Sequence, residues 1–184
     1  MRVALFGGSF NPPHVAHQLV ALYVLETVPV AELWFVPAFQ HAFDKPLAAF
    51  GDRYRMCELA AAALGSRARV SDIEARLGGP SRTLKTIERL QQDHPGTEFS
   101  LVVGSDLVGE IDSWYGGEAL RRRVPIIVVG RTGGQDSATV VMPAVSSTEI
   151  RAAIAAGRDT SGLVPRTVLD YIAQRGLYGM RDTT

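Results

Sequence analysis

Phe6-Gly7-Gly8-Ser9-Phe10-Asn11-Pro12-Pro13-His14-Val15-Ala16-His17 joins a short apolar run to a helical one through a pair of glycines, and its reading sets that of the whole chain. Residues 2–6 form a compact β-favouring segment. Residues 14–27 place Val15, Leu19, Val20, Leu22, Tyr23 and Val24 at roughly helical spacing, so strand, tight turn and helix are expected in that order. Glycines admit backbone dihedrals closed to other residues and let N–H groups approach an anion with no Cβ in the way. Asn11 is expected to cap the helix, with Pro12 and Pro13 in its first turn. His14 and His17, three apart, share one helix face, where imidazoles can hydrogen-bond phosphoryl oxygens beside the positive end of the helix dipole. The stretch reads as a cradle for a nucleotide's phosphates. It is neither GxGxxG nor a Walker A sequence, and a zinc site fits poorly, because the spacing is not HExxH and the chain has one cysteine.

Outward from this stretch, strand-like and helix-like segments alternate almost to the end of the chain. That pattern predicts an α/β, doubly wound, mostly parallel sheet with helices on both faces. Further strands are expected at 32–36, 69–73, 99–103 and 124–129, with a short peripheral one at 139–142. Helices are expected at 52–64, at 83–92 with Ser81 as cap, at 147–156, and at 165–175 before Gly176. Open parallel sheets bind ligands beyond the carboxyl ends of their strands. The turns after Phe6, Val36, Val103 and Val129 should therefore meet residues 146–151 around one pocket.

A chain of 184 residues can bury one good core, and a single domain over 1–184 is expected, its C-terminal helices from about 147 packing on the sheet. Nineteen basic residues balance 19 acidic ones, so no global basic field argues for a nucleic-acid partner, and the ligand should be small. A lone cysteine fits a reducing compartment. No apolar run nears the roughly 20 residues of a membrane span. A cytoplasmic protein without a membrane partner is expected; its oligomeric state is not legible.

Ser146-Ser147-Thr148 ahead of an amphipathic segment offers hydroxyls and free N–H groups at a helix start, and Arg151 follows within about a turn. This is a second candidate anion site. A capping box pairing Ser146 or Ser147 with Glu149 is the structural alternative.

GGSFNPPHVAH near the start and SSTEIR later in the chain together resemble the paired motifs of the nucleotidylyltransferase superfamily, and within it the chain is similar to the bacterial nicotinate-nucleotide adenylyltransferases. VPAFQHAFDKP, DRYRMCELA, SDIEARLGGPSRTLKTIERL, VVGSDLVGEIDSWYGGEAL and LVPRTVLDYIAQRGLYG extend the likeness over nearly the whole chain. The resemblance implies a Rossmann-like fold and transfer of AMP from ATP to nicotinate mononucleotide, giving the deamido dinucleotide and pyrophosphate. It implies direct in-line displacement, with Mg²⁺ accompanying ATP. By the same matches His14, His17, Lys45 and Arg151 would be catalytic, and Gly7, Gly8, Ser9, Phe10, Gly104, Asp106, Ser147 and Thr148 would hold ATP. Arg82, Thr83 and Trp114 would lie on the acceptor side, Trp114 covering the nicotinate ring.

Four departures from the family pattern stand out. Ala16 replaces a glycine, Asn11 stands where an acid is often found, and HAFDK lacks a proline-histidine pair before its lysine. In SRTLKT, Arg82 and Lys85 occupy places commonly held by tyrosine and aspartate. The added positive charge suggests that Arg82 pairs with an acceptor carboxylate, favouring nicotinate over nicotinamide; solvated charges on a helix are the structural alternative. Other functions compatible with the motifs are a superfamily transferase using nicotinamide mononucleotide, pantetheine phosphate or an alcohol phosphate with CTP, and a non-catalytic nucleotide sensor.

Overall fold

The computed structural model describes residues 1–40, 46–131 and 141–180. Six strands form a single parallel sheet: β1 (Arg2–Gly8), β2 (Glu32–Pro37), β3 (Ala68–Val70), β4 (Glu98–Gly104), β5 (Ile126–Arg131) and β6 (Val141–Met142), in spatial order β3-β2-β1-β4-β5-β6. The order reverses between β1 and β4. At that point the connections leave the sheet in opposite directions and open a crevice at the carboxyl ends of the strands.

Side-chain alternation splits the core between the two sheet faces. Val3, Leu5, Trp34, Val36, Phe99, Leu101 and Val103 point to one face. There they meet α3 (Ile73–Leu77), α4 (Thr83–Asp93) and α5 (Gly117–Arg123) through Ile73, Leu84, Ile87, Leu90 and Leu120. Ala4, Leu33, Phe35 and Val102 point to the other face, under α1 (Val15–Thr27) and α2 (Phe50–Ala62), which contribute Ala21, Val24, Leu25, Cys57 and Ala61. Burying each larger aliphatic side chain stabilises the fold by roughly 1.5–3 kcal/mol, and both faces draw on that source.

The C-terminal helices, expected against the sheet, pack instead on its outer helices. Ile150 and Ile154 of α6 (Ser147–Ala155) and Val168 and Ile172 of α7 (Arg166–Arg175) join Ala16, Met56 and Ala60 in a third cluster. The sheet faces are already covered by α1 and α2, so the last helices form a further layer. Ala16 belongs to that layer and is buried, which gives a packing use to the methyl that replaces glycine.

Several expected boundaries shift. The helix expected from 14 begins at Val15, and Asn11 does not cap it; His14 takes the N-cap position. Ser81 does not cap α4 either: Arg82 is the N-cap residue, and the Ser81 hydroxyl accepts the Phe39 N–H at 3.0 Å. The third strand is shorter than expected because Ile73 already starts α3. A 3₁₀ helix (Val108–Ser113) and α5 fill a stretch for which no element was expected. Gly176, with φ 58°, ends α7 in the left-handed conformation as anticipated.

Candidate active site

Neither glycine of the first turn takes a positive φ, and Gly8 is the one whose Cβ would be crowded by a neighbour. The residue in the left-handed region is Phe10, with φ 45°, a conformation that costs energy for a bulky side chain and that surrounding contacts must hold. Its ring is buried among Phe6, Phe35 and His17, with centroids 5.6, 5.5 and 4.9 Å away. It also lies beneath Gly8, where a Cβ would approach its ring atoms to 3.1 Å. Phe10 therefore braces the turn from below, and the backbone of Gly7 to Ser9 forms its upper surface.

His14 and His17 stack with ring centroids 3.7 Å apart. The His14 N–H donates to His17 Nδ1 at 3.1 Å, which places the hydrogen of a neutral His17 ring on Nε2. The Val15 N–H donates to the Leu163 carbonyl at 2.9 Å. These two main-chain donors are thus engaged within the protein, and the imidazoles carry more of the anion-binding capacity than the helix start alone would suggest.

Residues 146–151 close over this turn. The Ser147 hydroxyl donates to the Pro12 carbonyl at 2.9 Å, and Arg151 Nη1 donates to the Asn11 carbonyl at 2.7 Å. Arg151 Nη2 reaches Thr148 Oγ1 at 3.4 Å. Arg151 makes no ion pair among the described residues, in contrast to Arg121 with Asp112 and Arg166 with Asp170, so its charge remains for an anion. The capping box does not form: Ser146 makes no side-chain cap bond. Asn11, buried, accepts the Ala48 N–H at 3.1 Å and the Tyr178 hydroxyl at 2.8 Å on its side-chain oxygen. Its amide joins the first turn to two distant segments.

Across the crevice, Gly104 ends β4. A Cβ on residue 104 would press on the Asp106 carboxylate, so glycine there lets that carboxylate lie close against the end of β4. Trp114 lines the cavity and also packs against the core of its sheet face. Arg82 lies over the ring of the exposed Tyr115, 4.5 Å from its centroid, and Lys85 reaches the same ring at 5.5 Å. Neither cation has a carboxylate partner among the described residues. Thr83 opens α4, and beneath it the Thr86 hydroxyl donates to the buried carboxylate of Glu74.

One cavity of about 830 Å³ is lined by Gly7, Gly8, Ser9, Phe10, His14 and His17, by Gly104 and Asp106, by Arg82, Thr83 and Trp114, and by Ser147, Thr148 and Arg151. Every expected site residue within the described chain contributes to it; Lys45 lies outside the described residues. Tyr115 and Glu74 also line it, and no motif pointed to either. No group of three or more metal-ligating side chains is present among the described residues. No described helix is long and apolar enough to cross a membrane.

A cytidylyltransferase-like family model matches residues 5–153. The chain is 46% identical over 180 residues to a "probable nicotinate-nucleotide adenylyltransferase" of Anaeromyxobacter dehalogenans, with 96% of each chain covered. It is 37% identical to a protein of the same name from Myxococcus xanthus, covering 100% of this chain and 97% of that one. In fold it is similar to a nicotinic acid mononucleotide adenylyltransferase of Plasmodium falciparum solved with NaAD, with TM-score 0.85, 23% identity and 98% of each chain covered. Paired phosphate motifs at the switch point of a parallel sheet, matched along almost the full chain by these relatives, place the protein in the cytidylyltransferase-like family, among the nicotinate-nucleotide adenylyltransferases.

Proposed function

We propose that the chain, read as one nucleotidylyltransferase domain over its 184 residues, transfers the adenylyl group of ATP to nicotinate mononucleotide, forming the deamido dinucleotide of NAD biosynthesis and pyrophosphate. The observation that carries this reading is the convergence of two anion-binding motifs and an aromatic, cationic rim on one cavity. An oxygen of the acceptor's 5′-phosphate attacks the α-phosphorus, and the bond from that phosphorus to the pyrophosphate oxygen breaks. The attacking group is already an anion, so no side-chain nucleophile or strong base is required. Positioning and charge stabilisation are the protein's tasks.

His17, with Nε2–H as donor, and His14 would hold phosphate oxygens from the first turn, against the backbone of Gly7, Gly8, Ser9 and Phe10. Ser147, Thr148 and Arg151 would hold them from the opposite side, and Lys45 would meet phosphate charge from its loop. Gly104 and Asp106 would face the ribose. On the acceptor side, Trp114 would cover the pyridine ring, and Thr83 and Arg82 would meet its polar edge. Family members use a divalent cation with ATP; a Mg²⁺ carried on the triphosphate would offset phosphate charge.

The test is pyrophosphate release with ATP and each of several acceptors. Release is expected with nicotinate mononucleotide and, more weakly, with nicotinamide mononucleotide. Faster release with pantetheine phosphate would overturn the acceptor, and ATP binding without release on any acceptor would favour a sensor.

A further inference from the structure

Arg53, on α2, is 1% exposed and is one of the largest fully buried side chains of the protein. Its guanidinium donates to three main-chain carbonyls: Nε to Ala48 at 2.9 Å, Nη1 to Ser9 at 3.0 Å and Nη2 to Phe39 at 3.1 Å. The face of Phe50 lies 5.6 Å away. Among the described residues it makes no ion pair; the neighbouring Asp52 is engaged by Tyr171 and Arg175. Burial correspondingly pushes its pKa down from the ordinary arginine value. Carbonyl dipoles satisfy the N–H groups, but they do not cancel a whole charge, and a buried cation without a counter-ion is expensive.

What faces this charge gives it a use. Arg53 is not part of the cavity wall, whereas Ser9, whose carbonyl it holds, is. The Ser9–Phe10 peptide is trans, so its N–H points opposite to its carbonyl, away from the guanidinium. Phe10 is the residue held at positive φ immediately after this anchor. One side chain therefore fixes the orientation of the strained peptide and sets a full positive charge behind it.

We infer that Arg53 is a positioning residue of the phosphate site, its buried charge balanced by the phosphates of the bound nucleotide, which it serves by fixing the Ser9–Phe10 peptide and by supplying a water-excluded positive field. This rests on the reading of the first turn as the ATP phosphate site and adds a residue outside both motifs. A buried field is little screened by salt and acts more strongly as ligand charge rises. A purely structural arginine would weaken adenosine and ATP alike.

The experiment is calorimetric titration of wild type, Arg53→Gln and Arg53→Lys with ATP, AMP and adenosine, with folding checked by circular dichroism. Failure of the wild type to prefer ATP over adenosine would overturn the underlying reading of the site, independently of Arg53. Given that preference, Arg53→Gln is expected to weaken ATP by about tenfold or more and adenosine by less than about threefold, with AMP between them. Arg53→Lys should keep the wild-type order and spacing of the three ligands. Equal weakening of ATP and adenosine in Arg53→Gln would overturn the inference. Should that variant not fold, Arg53→Lys decides: an ATP-to-adenosine ratio near that of wild type sustains the role of charge, since lysine cannot bridge three carbonyls, and a ratio reduced about tenfold overturns it.

Discussion

The end of the cavity proposed to hold the phosphates and the end proposed to hold the acceptor are built differently. At the first of these, residues 9–17 are tied to the rest of the molecule by partly buried hydrogen bonds from Arg53, Arg151, Ser147 and Tyr178. At the acceptor end, Arg82, Lys85 and Tyr115 form an exposed stack held by cation–π contacts. Adenylyl transfer needs the α-phosphate held to within fractions of an ångström, so preorganised groups belong there. Choosing between acceptors needs only a difference in affinity at a rim. The fixed end suits chemistry shared by every acceptor, and the open end suits selectivity.

The largest expected effect tests the fixed end. His17→Ala removes a ring whose Nδ1 accepts the His14 N–H, and it should lower kcat by roughly two to three orders of magnitude, the range for losing one transition-state contact. The loss should be equal for nicotinate and nicotinamide mononucleotides, because the transferred group is the same. Steady-state kinetics on a folded variant decides. Near-normal kcat would remove His17 from the chemistry, and a loss confined to one acceptor would blur the division between the two ends.

The next effect tests the open end. Arg82→Ala is expected to lower the ratio of kcat/KM for the acid over the amide mononucleotide about five- to tenfold, a charge-assisted hydrogen bond reduced by solvent screening. Turnover of the amide should change little. An unchanged ratio would leave Arg82 as a solvated charge resting on Tyr115.

The same division governs what was legible in the sequence. Strand positions and the two anion motifs can be read because each depends on neighbours a few residues away: the apolar run Val3, Ala4 and Leu5, or small and hydroxyl residues at turn and helix starts. Asn11 looks like a cap because its true partners, Ala48 and Tyr178, lie far off in the chain. Arg53 carries no local signal for the same reason; next to Asp52 and Arg55 it looks like one more solvated charge until three carbonyls surround it. Gly116 and Gly117 carry no pattern that marks a helix start. In the fold, the left-handed Gly116 leads directly into α5, and a Cβ on Gly117 would overlap the Ile111 carbonyl. Tyr115 gains its place only when the start of α4 brings Arg82 over its ring.

The smallest expected effect asks how rigid the fixed end must be. Tyr178 is held at φ 58° in the C-terminal turn, and its hydroxyl reaches Asn11 Oδ1, which the Ala48 N–H also occupies. Burial raises its pKa above the ordinary phenol value, so the hydroxyl stays protonated and donating through neutral pH. Tyr178→Phe keeps the ring, its packing and the Ala48 bond, and deletes one hydrogen bond worth about 1 kcal/mol. A melting temperature lower by about 2–4 °C is expected for a chain of this size, with kcat within about threefold of wild type, because Arg53 and Arg151 still hold the Ser9 and Asn11 carbonyls. A fall in kcat approaching that of His17→Ala would mean that Asn11 transmits strain directly to the histidines, and that the C-terminal turn belongs to the phosphate site as fully as the first motif does.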